Sequence, residues 1–134
     1  MEKEIIKTDR APALEPGGYP AACNAVKVGN LIFVSGQAGW TADKELVRGD
    51  AKAQTRQVIE NIKVILEASG AALKDVVKVT VFLKNMDDFE DVCDVRNQYF
   101  GESPTASSAI EISRLVHDDL LVEIEAIAFI PENR

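Results

Sequence analysis

The alternation of apolar and polar residues predicts two short strands near the start of the chain. They run from 24 to 29 as Asn-Ala-Val-Lys-Val-Gly and from 30 to 35 as Asn-Leu-Ile-Phe-Val-Ser. Glycine and asparagine tolerate positive φ angles, so the Gly29-Asn30 pair between the two runs predicts a tight hairpin. The first part of the chain, about 20 residues, contains prolines and glycines without such a pattern, and we expect an irregular segment there.

Apolar residues then recur at steps of three and four, which predicts an amphipathic helix that Asp50 opens. Asp50 is a suitable N-cap, and Gly70 stands where a left-handed residue commonly ends a helix. The residues expected on the buried stripe of this helix are Ala51, Thr55, Val58, Ile59, Ile62, Ile65, Leu66 and Ser69.

The second half of the chain predicts a strand, a helix and two further strands. The β-branched run from Val76 to Leu83 is typical of a buried strand. The helix is expected from about Asp87 to Phe100, with Asp87 and Glu90 as a capping box and Gly101 as its stop. The residues expected on one side of it are Phe89, Val92, Arg96 and Tyr99. The last strands are expected at about 105–112 and 119–130.

This order of elements predicts one α+β domain, spanning residues 1–134. Each helix needs a sheet face against which its apolar stripe packs, so we expect two helices on one side of a single twisted sheet. The opposite face would then be left uncovered, and its valines and isoleucines would form an exposed apolar patch. We therefore expect the chain to self-associate through that face.

The last predicted strand carries two glutamates in an otherwise apolar segment. Alternation places Glu123 and Glu125 on one face, about 7 Å apart. Two interpretations are open. The strand face is solvated or ion-paired, or apolar surroundings raise the pKa of one carboxyl group so that it works as a general acid or base.

The preceding strand has one unusually small and polar face, formed by Ser107, Ala109 and Glu111. If this strand pairs with the last one, these residues share a neighbourhood with the two glutamates. Their small size would then leave room for a small molecule. The simpler interpretation is the surface of an edge strand.

The composition indicates a globular protein and argues against several classes of function. Apolar residues make up 46% of the chain and charged residues 28%. No apolar run approaches the ~18 residues of a membrane span, and the start lacks the order of a secretory signal, so we expect a soluble cytoplasmic protein. The net charge is −7, and lysines and arginines are scattered, which disfavours nucleic-acid binding.

The cysteines and the histidine do not predict a metal site. Cys23 and Cys93 have no metal-type spacing, and in a reducing compartment we expect packed, reduced thiols. His117 lies in Leu-Val-His-Asp-Asp-Leu, which is typical of an exposed turn. A single histidine without a cysteine–histidine cluster disfavours zinc chemistry.

Several segments, taken in order, resemble the RidA/YjgF family of reactive-intermediate deaminases along nearly the whole chain. Each segment is weak evidence alone, whereas their order and spacing together are specific. The segments are Ala11-Pro12, Gly18-Tyr19, Val34-Ser35-Gly36-Gln37, Asn61-Ile62-Lys63 with Leu66-Glu67-Ala68, the run from Val76 to Phe82, Asp87-Asp88-Phe89, and the run from Val122 to Ala128.

The resemblance implies a chorismate-mutase-like α+β fold and a homotrimer whose sheets form a central barrel, with ligand clefts between subunits. It implies hydrolysis of reactive enamines and imines to a keto acid and ammonia, without a metal or an organic cofactor. By position, Glu123 matches the family's acidic residue that orients or activates the water. Tyr19 and Ser35 match cleft residues near the substrate, and the backbone at Gly36 matches a ligand contact.

The chain departs from the family pattern in the penultimate strand. Members with the well-described deaminase activity carry an arginine there, which grips the substrate carboxylate through two parallel hydrogen bonds. Ser107 stands at that position, and Ala109 stands where those members have a cysteine. Loss of a contact of about 1.5–3 kcal/mol weakens binding roughly ten- to more than a hundredfold. We therefore expect a substrate other than the simple 2-imino acids.

Two further arginines bear on this departure. Arg96, on the second predicted helix, is either a replacement cation or, as we favour, a side chain lying over the helix–sheet seam. Arg114 matches an arginine of ordinary relatives, so it does not count as a replacement. Two other classes of function stay open: a non-catalytic module that binds a small metabolite, and a ribonuclease or translation inhibitor, which the acidic charge disfavours.

Overall fold

The computed structural model describes residues 2–12 and 21–132. The strands in this part of the chain are β1 (Lys3–Ile6), β2 (Ala25–Val28), β3 (Leu31–Ala38), β4 (Val76–Leu83), β5 (Ala106–Glu111) and β6 (Val122–Phe129). The helices are α1 (Ala51–Ala68) and α2 (Phe89–Phe100). The strands form one mixed six-stranded sheet in the order β1-β2-β3-β6-β4-β5, in which only β4 and β5 pair in parallel.

Both helices pack on one face of this sheet, as the sequence predicts. Helix α1 contacts β3, β6 and α2. The strand side chains that alternate toward the helices are buried, and Ile32, Val81 and Ile124 have exposed fractions of at most 2%. Every residue predicted for the apolar stripe of α1 is buried as well. Burial of these branched side chains on both layers is the main stabilising contribution to the fold.

The ends of α1 confirm the predicted caps, whereas the start of α2 does not. The Asp50 carboxylate accepts a hydrogen bond from the Ala53 N–H at 2.9 Å, and Gly70 has a φ of 85°. The predicted capping box of α2 is wrong, because Asp88 occupies the N-cap position without a side-chain cap bond. A 3₁₀ turn at Met86–Asp88 leads into the helix instead. The residues of α2 that become buried are Val92, Val95 and Phe100.

The predicted hairpin between the first two runs is confirmed. Val28 pairs with Leu31 across the two-residue turn, and Gly29 has a φ of 57°. The second strand is longer than predicted, since β3 continues to Ala38. It does so through an irregularity in its pairing with β6 between Val34 and Gln37, where β3 has one extra residue opposite the last strand.

The sheet differs from the sequence analysis at two points. The segment expected to be irregular contains β1, a short edge strand paired with β2. In addition, β5 does not pair with β6, because β4 lies between them and pairs with both. A strand–helix–strand unit such as β4-α2-β5 favours parallel pairing of its own strands, and that preference places β5 beside β4 in the sheet.

The sheet face opposite the helices, called the open face below, has an apolar half and a polar half. Register brings Ile5, Val26, Phe33 and Ile127 side by side across four strands. Leu31 and Phe129 extend this apolar half by one row, and both are exposed. In the polar half the adjacent side chains are Glu125, Thr80 and Ser108 in one row and Glu123, Phe82 and Ile110 in the next. None of the helices in the described part of the chain is long and apolar enough to cross a membrane.

Candidate functional site

Glu123 lies in β6 on the polar half of the open face. Its neighbours along the strand, Val122 and Ile124, turn toward the helices and are buried, so alternation turns Glu123 away from them. The Glu123 side chain is itself half-buried, whereas Glu125, two residues further on the same face, is exposed. The strand therefore presents one sheltered and one solvated carboxyl group side by side.

Gly36 provides the space that Glu123 occupies. The carboxyl group lies over the irregularity of β3, against the Cα of Gly36. A Cβ added at Gly36 would lie 3.0 Å from Cδ of Glu123 and closer still to Oε2. A side chain at position 36 would thus displace the carboxyl group, which gives this glycine a steric role in the site.

The surroundings of Glu123 favour its neutral form. Burial raises the pKa of the Glu123 carboxyl group above its ordinary value, and repulsion from the nearby Glu125 carboxylate raises it further. A carboxyl group with a raised pKa exchanges a proton closer to neutral pH. That property suits a general acid or base.

A cleft of about 620 Å³ opens over this part of the sheet. Its floor comes from β4 and β6, and one wall comes from the segment that follows β5. The lining combines two carboxyl groups, one guanidinium and four apolar side chains. The lining residues are Phe82, Ile112, Arg114, Leu115, Val116, Glu123 and Glu125. Such a mixture of apolar surface and a few polar groups is typical of small-molecule sites.

Gln54 of α1 holds the segment that leads from this wall into β6. Its side chain is almost completely buried. The amide nitrogen donates to the Asp119 carbonyl and the amide oxygen accepts from the Leu121 N–H, both at 2.8 Å. The same nitrogen lies 3.2 Å from the Val47 carbonyl. These bonds fix the entry into β6 just before Glu123.

The structure brings together only some of the residues that the sequence singled out. Glu123 and Gly36 are in contact, and Ser35 is adjacent to them. The Ser35 hydroxyl donates to the Cys23 carbonyl at 2.7 Å, which ties β3 to the segment before β2. Tyr19 lies outside the described residues.

The predicted neighbourhood of Ser107, Ala109 and Glu123 within one chain is wrong. Ser107 and Ala109 pair with Val79 and Val81, whose side chains point toward the helices, so they lie on the opposite face from Glu123. Because β4 intervenes, β5 is also about 10 Å from β6. Their shared face also includes Glu111, whose carboxylate accepts from the Met86 N–H at 2.9 Å.

Four other side chains that the sequence singled out do not line the cleft. Arg96 is half-buried on α2, on the helix side of the sheet, and its Nε has no hydrogen-bond partner among the described residues. His117 lies in a turn, as predicted, but it is half-buried rather than fully solvated, because its ring packs edge-on against Trp40 with centroids 5.6 Å apart. Cys23 and Cys93 are free thiols, and the described residues contain no cluster of metal-ligating side chains.

Comparison with known proteins identifies the family. The model of the family described as Endoribonuclease L-PSP matches residues 15–130. A RutC family protein of Pyrococcus abyssi is 52% identical over 96% of this chain and 98% of that protein. A 2-iminobutanoate/2-iminopropanoate deaminase of Dermatophagoides farinae is 38% identical over 96% of this chain and 97% of its own length. A crystal structure from Thermotoga maritima has a TM-score of 0.88 and 44% identity, covering 98% of this chain and 99% of its own.

The chain therefore belongs to the Endoribonuclease L-PSP family, the family of the RutC and RidA/YjgF proteins. The predicted family and the predicted α+β fold are both confirmed. Sequence reasoning missed the wall formed by residues 112–116 and set Arg114 aside. Sequence reasoning also missed Phe82 as a lining residue of the cleft. The alternation in β4 could have found it, because it places Phe82 on the same face as Thr80.

Proposed function

We propose that this chain is a cofactor-free hydrolase that deaminates a reactive enamine or imine, with Glu123 as its catalytic residue. The observation that carries the proposal is the half-buried Glu123 carboxyl group, which lies against Gly36 and lines a cleft large enough for a small molecule. Membership in a family that includes a 2-iminobutanoate/2-iminopropanoate deaminase supports the reaction class.

The reaction needs only proton transfers and one water molecule. The neutral Glu123 carboxyl group gives a proton to the imine nitrogen, which makes the adjoining carbon more electrophilic. The resulting carboxylate takes a proton from water as its oxygen forms a bond to that carbon. The same proton then passes to the nitrogen. As the C–N bond breaks, the hydroxyl proton returns to the Glu123 carboxylate, and the products are a carbonyl compound and ammonia. The raised pKa of Glu123 suits both directions of this transfer.

We further propose that the working unit is a homotrimer with its ligand clefts between subunits. The apolar half of the open face supports self-association, since residues such as Phe33 and Phe129 are 43% and 45% exposed there. Ser107 and Ala109 lie on an edge strand, so we assign them to a cleft that a neighbouring subunit completes. Tyr19 and Ser35 keep their proposed place near the substrate.

Ser107 supports a substrate other than the simple 2-imino acids. A serine hydroxyl is uncharged and cannot form the two parallel hydrogen bonds of a guanidinium with a carboxylate. The same feature favours a second candidate function, a trimer that binds a small metabolite without turnover. Ribonuclease activity is the weakest candidate, because the net charge of −7 opposes binding to phosphate groups.

An imine-hydrolysis assay with 2-iminobutyrate, 2-iminopropionate and aminomuconate tests these proposals. We expect the wild type to hydrolyse an imine, and Glu123→Gln to lower kcat by about a hundredfold or more, because a general acid–base is removed. Glu102→Gln, an exposed glutamate outside the cleft, is the matched control. Ser107→Arg should create or raise activity on 2-iminobutyrate and 2-iminopropionate, because the guanidinium would bind their carboxylates.

The outcomes separate the candidate functions. Turnover that is unaffected by Glu123→Gln contradicts the catalytic assignment. Tight binding of a metabolite without hydrolysis of any imine favours the binding module. Cleavage of RNA by the purified protein, lost in Glu123→Gln, would favour the ribonuclease.

A further inference from the structure

The Glu123 cleft contains a cation that the proposed proton transfers do not use. Arg114 lines this cleft together with Glu123 and Glu125. In the described part of the chain its guanidinium forms one ion pair, with Asp118 at 3.7 Å, and the two side chains are 81% and 85% exposed. An exposed pair at this distance contributes little to stability and leaves most of the five guanidinium donors available.

Basic side chains of the neighbouring elements are already engaged with protein atoms. The Lys78 ammonium donates to the Ser108 hydroxyl at 3.0 Å, and the Lys84 ammonium donates to the Asp118 carbonyl. Arg48 contacts the Asp119 carboxylate at 2.6 Å. Among the seven residues that line the cleft, Arg114 is the one cation, and its position makes it available to a ligand.

The remaining lining of the cleft is apolar. Phe82, Ile112, Leu115 and Val116 line the cleft together with the guanidinium and the two carboxyl groups. A protonated C–N group is favoured beside the glutamates, where a carboxylate would be repelled. A ligand carboxylate is favoured beside Arg114, and hydrocarbon is favoured against the apolar side chains.

We propose that Arg114 binds a carboxylate of the ligand, and that the ligand is an imine or enamine in which an apolar segment joins that carboxylate to the reacting C–N group. The assignment of the C–N group rests on the proposed function, whereas the carboxylate contact does not. This contact differs from the one made by the family arginine at the position of Ser107. Arg114 belongs to the segment after β5 and lines the cleft on the open face.

Binding of pentanoate compared with pentanamide tests the contact without any turnover. The two probes share the alkyl chain and differ in charge, and titration calorimetry or NMR gives both dissociation constants. We expect the wild type to bind pentanoate about five- to tenfold more tightly than pentanamide, because a guanidinium forms a charge-assisted pair only with the carboxylate. Arg114→Gln should remove this preference and leave pentanamide binding unchanged.

Two further variants separate a direct contact from a general effect of charge. Arg114→Lys keeps the charge and loses the planar fork, so it should recover less than half of the lost affinity. Arg10→Gln is the matched control, since Arg10 is also an exposed arginine in a weak ion pair, with Glu67 at 3.4 Å. It should bind pentanoate like the wild type.

Three results would overturn the inference. The first is the absence of saturable pentanoate binding by the wild type. The second is an Arg114→Gln variant that prefers pentanoate over pentanamide as strongly as the wild type does. The third is an Arg114→Lys variant that binds pentanoate with the full wild-type affinity. Imine hydrolysis that depends on Glu123 but not on Arg114 would retain the proposed function and reject this inference. Pentanoate binding that depends on Arg114, without hydrolysis of any imine, would retain the carboxylate contact and reject the proposed function.

Discussion

At the scale of single residues, Glu123 is a catalytic candidate whose ionisation lowers the stability of the folded protein. Its pKa is raised in the folded protein, so the folded chain binds this proton more tightly than the unfolded chain does. The stabilising contribution is therefore fully present below the unfolded pKa of the group. It is lost as the pH rises through the folded pKa, where the sheltered carboxyl group ionises beside Glu125.

Replacement of Glu123 by glutamine should remove this loss. We expect Glu123→Gln to gain stability relative to the wild type as the pH rises above the ordinary glutamate pKa of about 4.3, since the glutamine stays neutral where the glutamate ionises. Urea unfolding of both proteins across this pH range gives the difference in the free energy of unfolding. Glu102→Gln, which changes an exposed glutamate, should show no such pH-dependent gain. A difference that is constant with pH would contradict the assigned cause.

The residues of the site were predictable from the sequence to different degrees. Alternation along β6 is strict, so the face of Glu123 and Glu125 followed from spacing alone. The contact of Glu123 with Gly36 depends on an irregularity of β3, and no local pattern specifies which strand lies opposite it. Arg114 lies beyond the last residue of β5, where side-chain direction is set by a loop rather than by a period of two.

At the scale of secondary-structure elements, Gln54 joins α1 to the entry of β6. Replacement by leucine would leave the Leu121 N–H and the carbonyls of Asp119 and Val47 without this partner inside the protein. We expect Gln54→Leu to lower the free energy of unfolding by about 2–4 kcal/mol, because buried polar groups without partners retain their desolvation cost. Chemical denaturation measures this loss.

A glutamine on α2 provides the control for Gln54. Gln98 is exposed and accepts a hydrogen bond from Arg56 at the surface. Gln98→Leu should change the free energy of unfolding by no more than about 0.5 kcal/mol. An equally small effect of Gln54→Leu would show that the entry to β6 is held by other contacts.

Elements with a strong local pattern were predicted well, and those defined by their partners were not. The stripe of α1, the β-branched run of β4 and the Gly29 turn each carry a local signal. By contrast, β1 is a four-residue edge strand with three exposed side chains, so its pairing with β2 identifies it rather than its own alternation. The position of β5 depends on the parallel crossover through α2, which strand periodicity does not encode.

At the scale of the whole molecule, the two halves of the open face suit two different tasks. The apolar half, which includes Phe33 and Ile127, has surface that association would remove from water. The polar half contains Glu123 and Glu125 and leads into the cleft. A trimer that joined through the apolar half would place its clefts next to the contact between subunits, so assembly and ligand binding are expected to be linked.

The proposed trimer makes Phe33 a residue of assembly rather than of folding. Phe33 is 43% exposed on the open face and Phe89 is 39% exposed on α2, on the helix side, so the two form a matched pair. We expect light scattering to give the mass of three 14.6 kDa chains for the wild type and for Phe89→Asp, and a single chain for Phe33→Asp. Aspartate at position 33 would bring three carboxylates into an apolar contact, and their desolvation opposes association. A wild type that stays a single chain at working concentrations would rule out the trimer, whereas a trimeric Phe33→Asp would place the contact elsewhere on the chain.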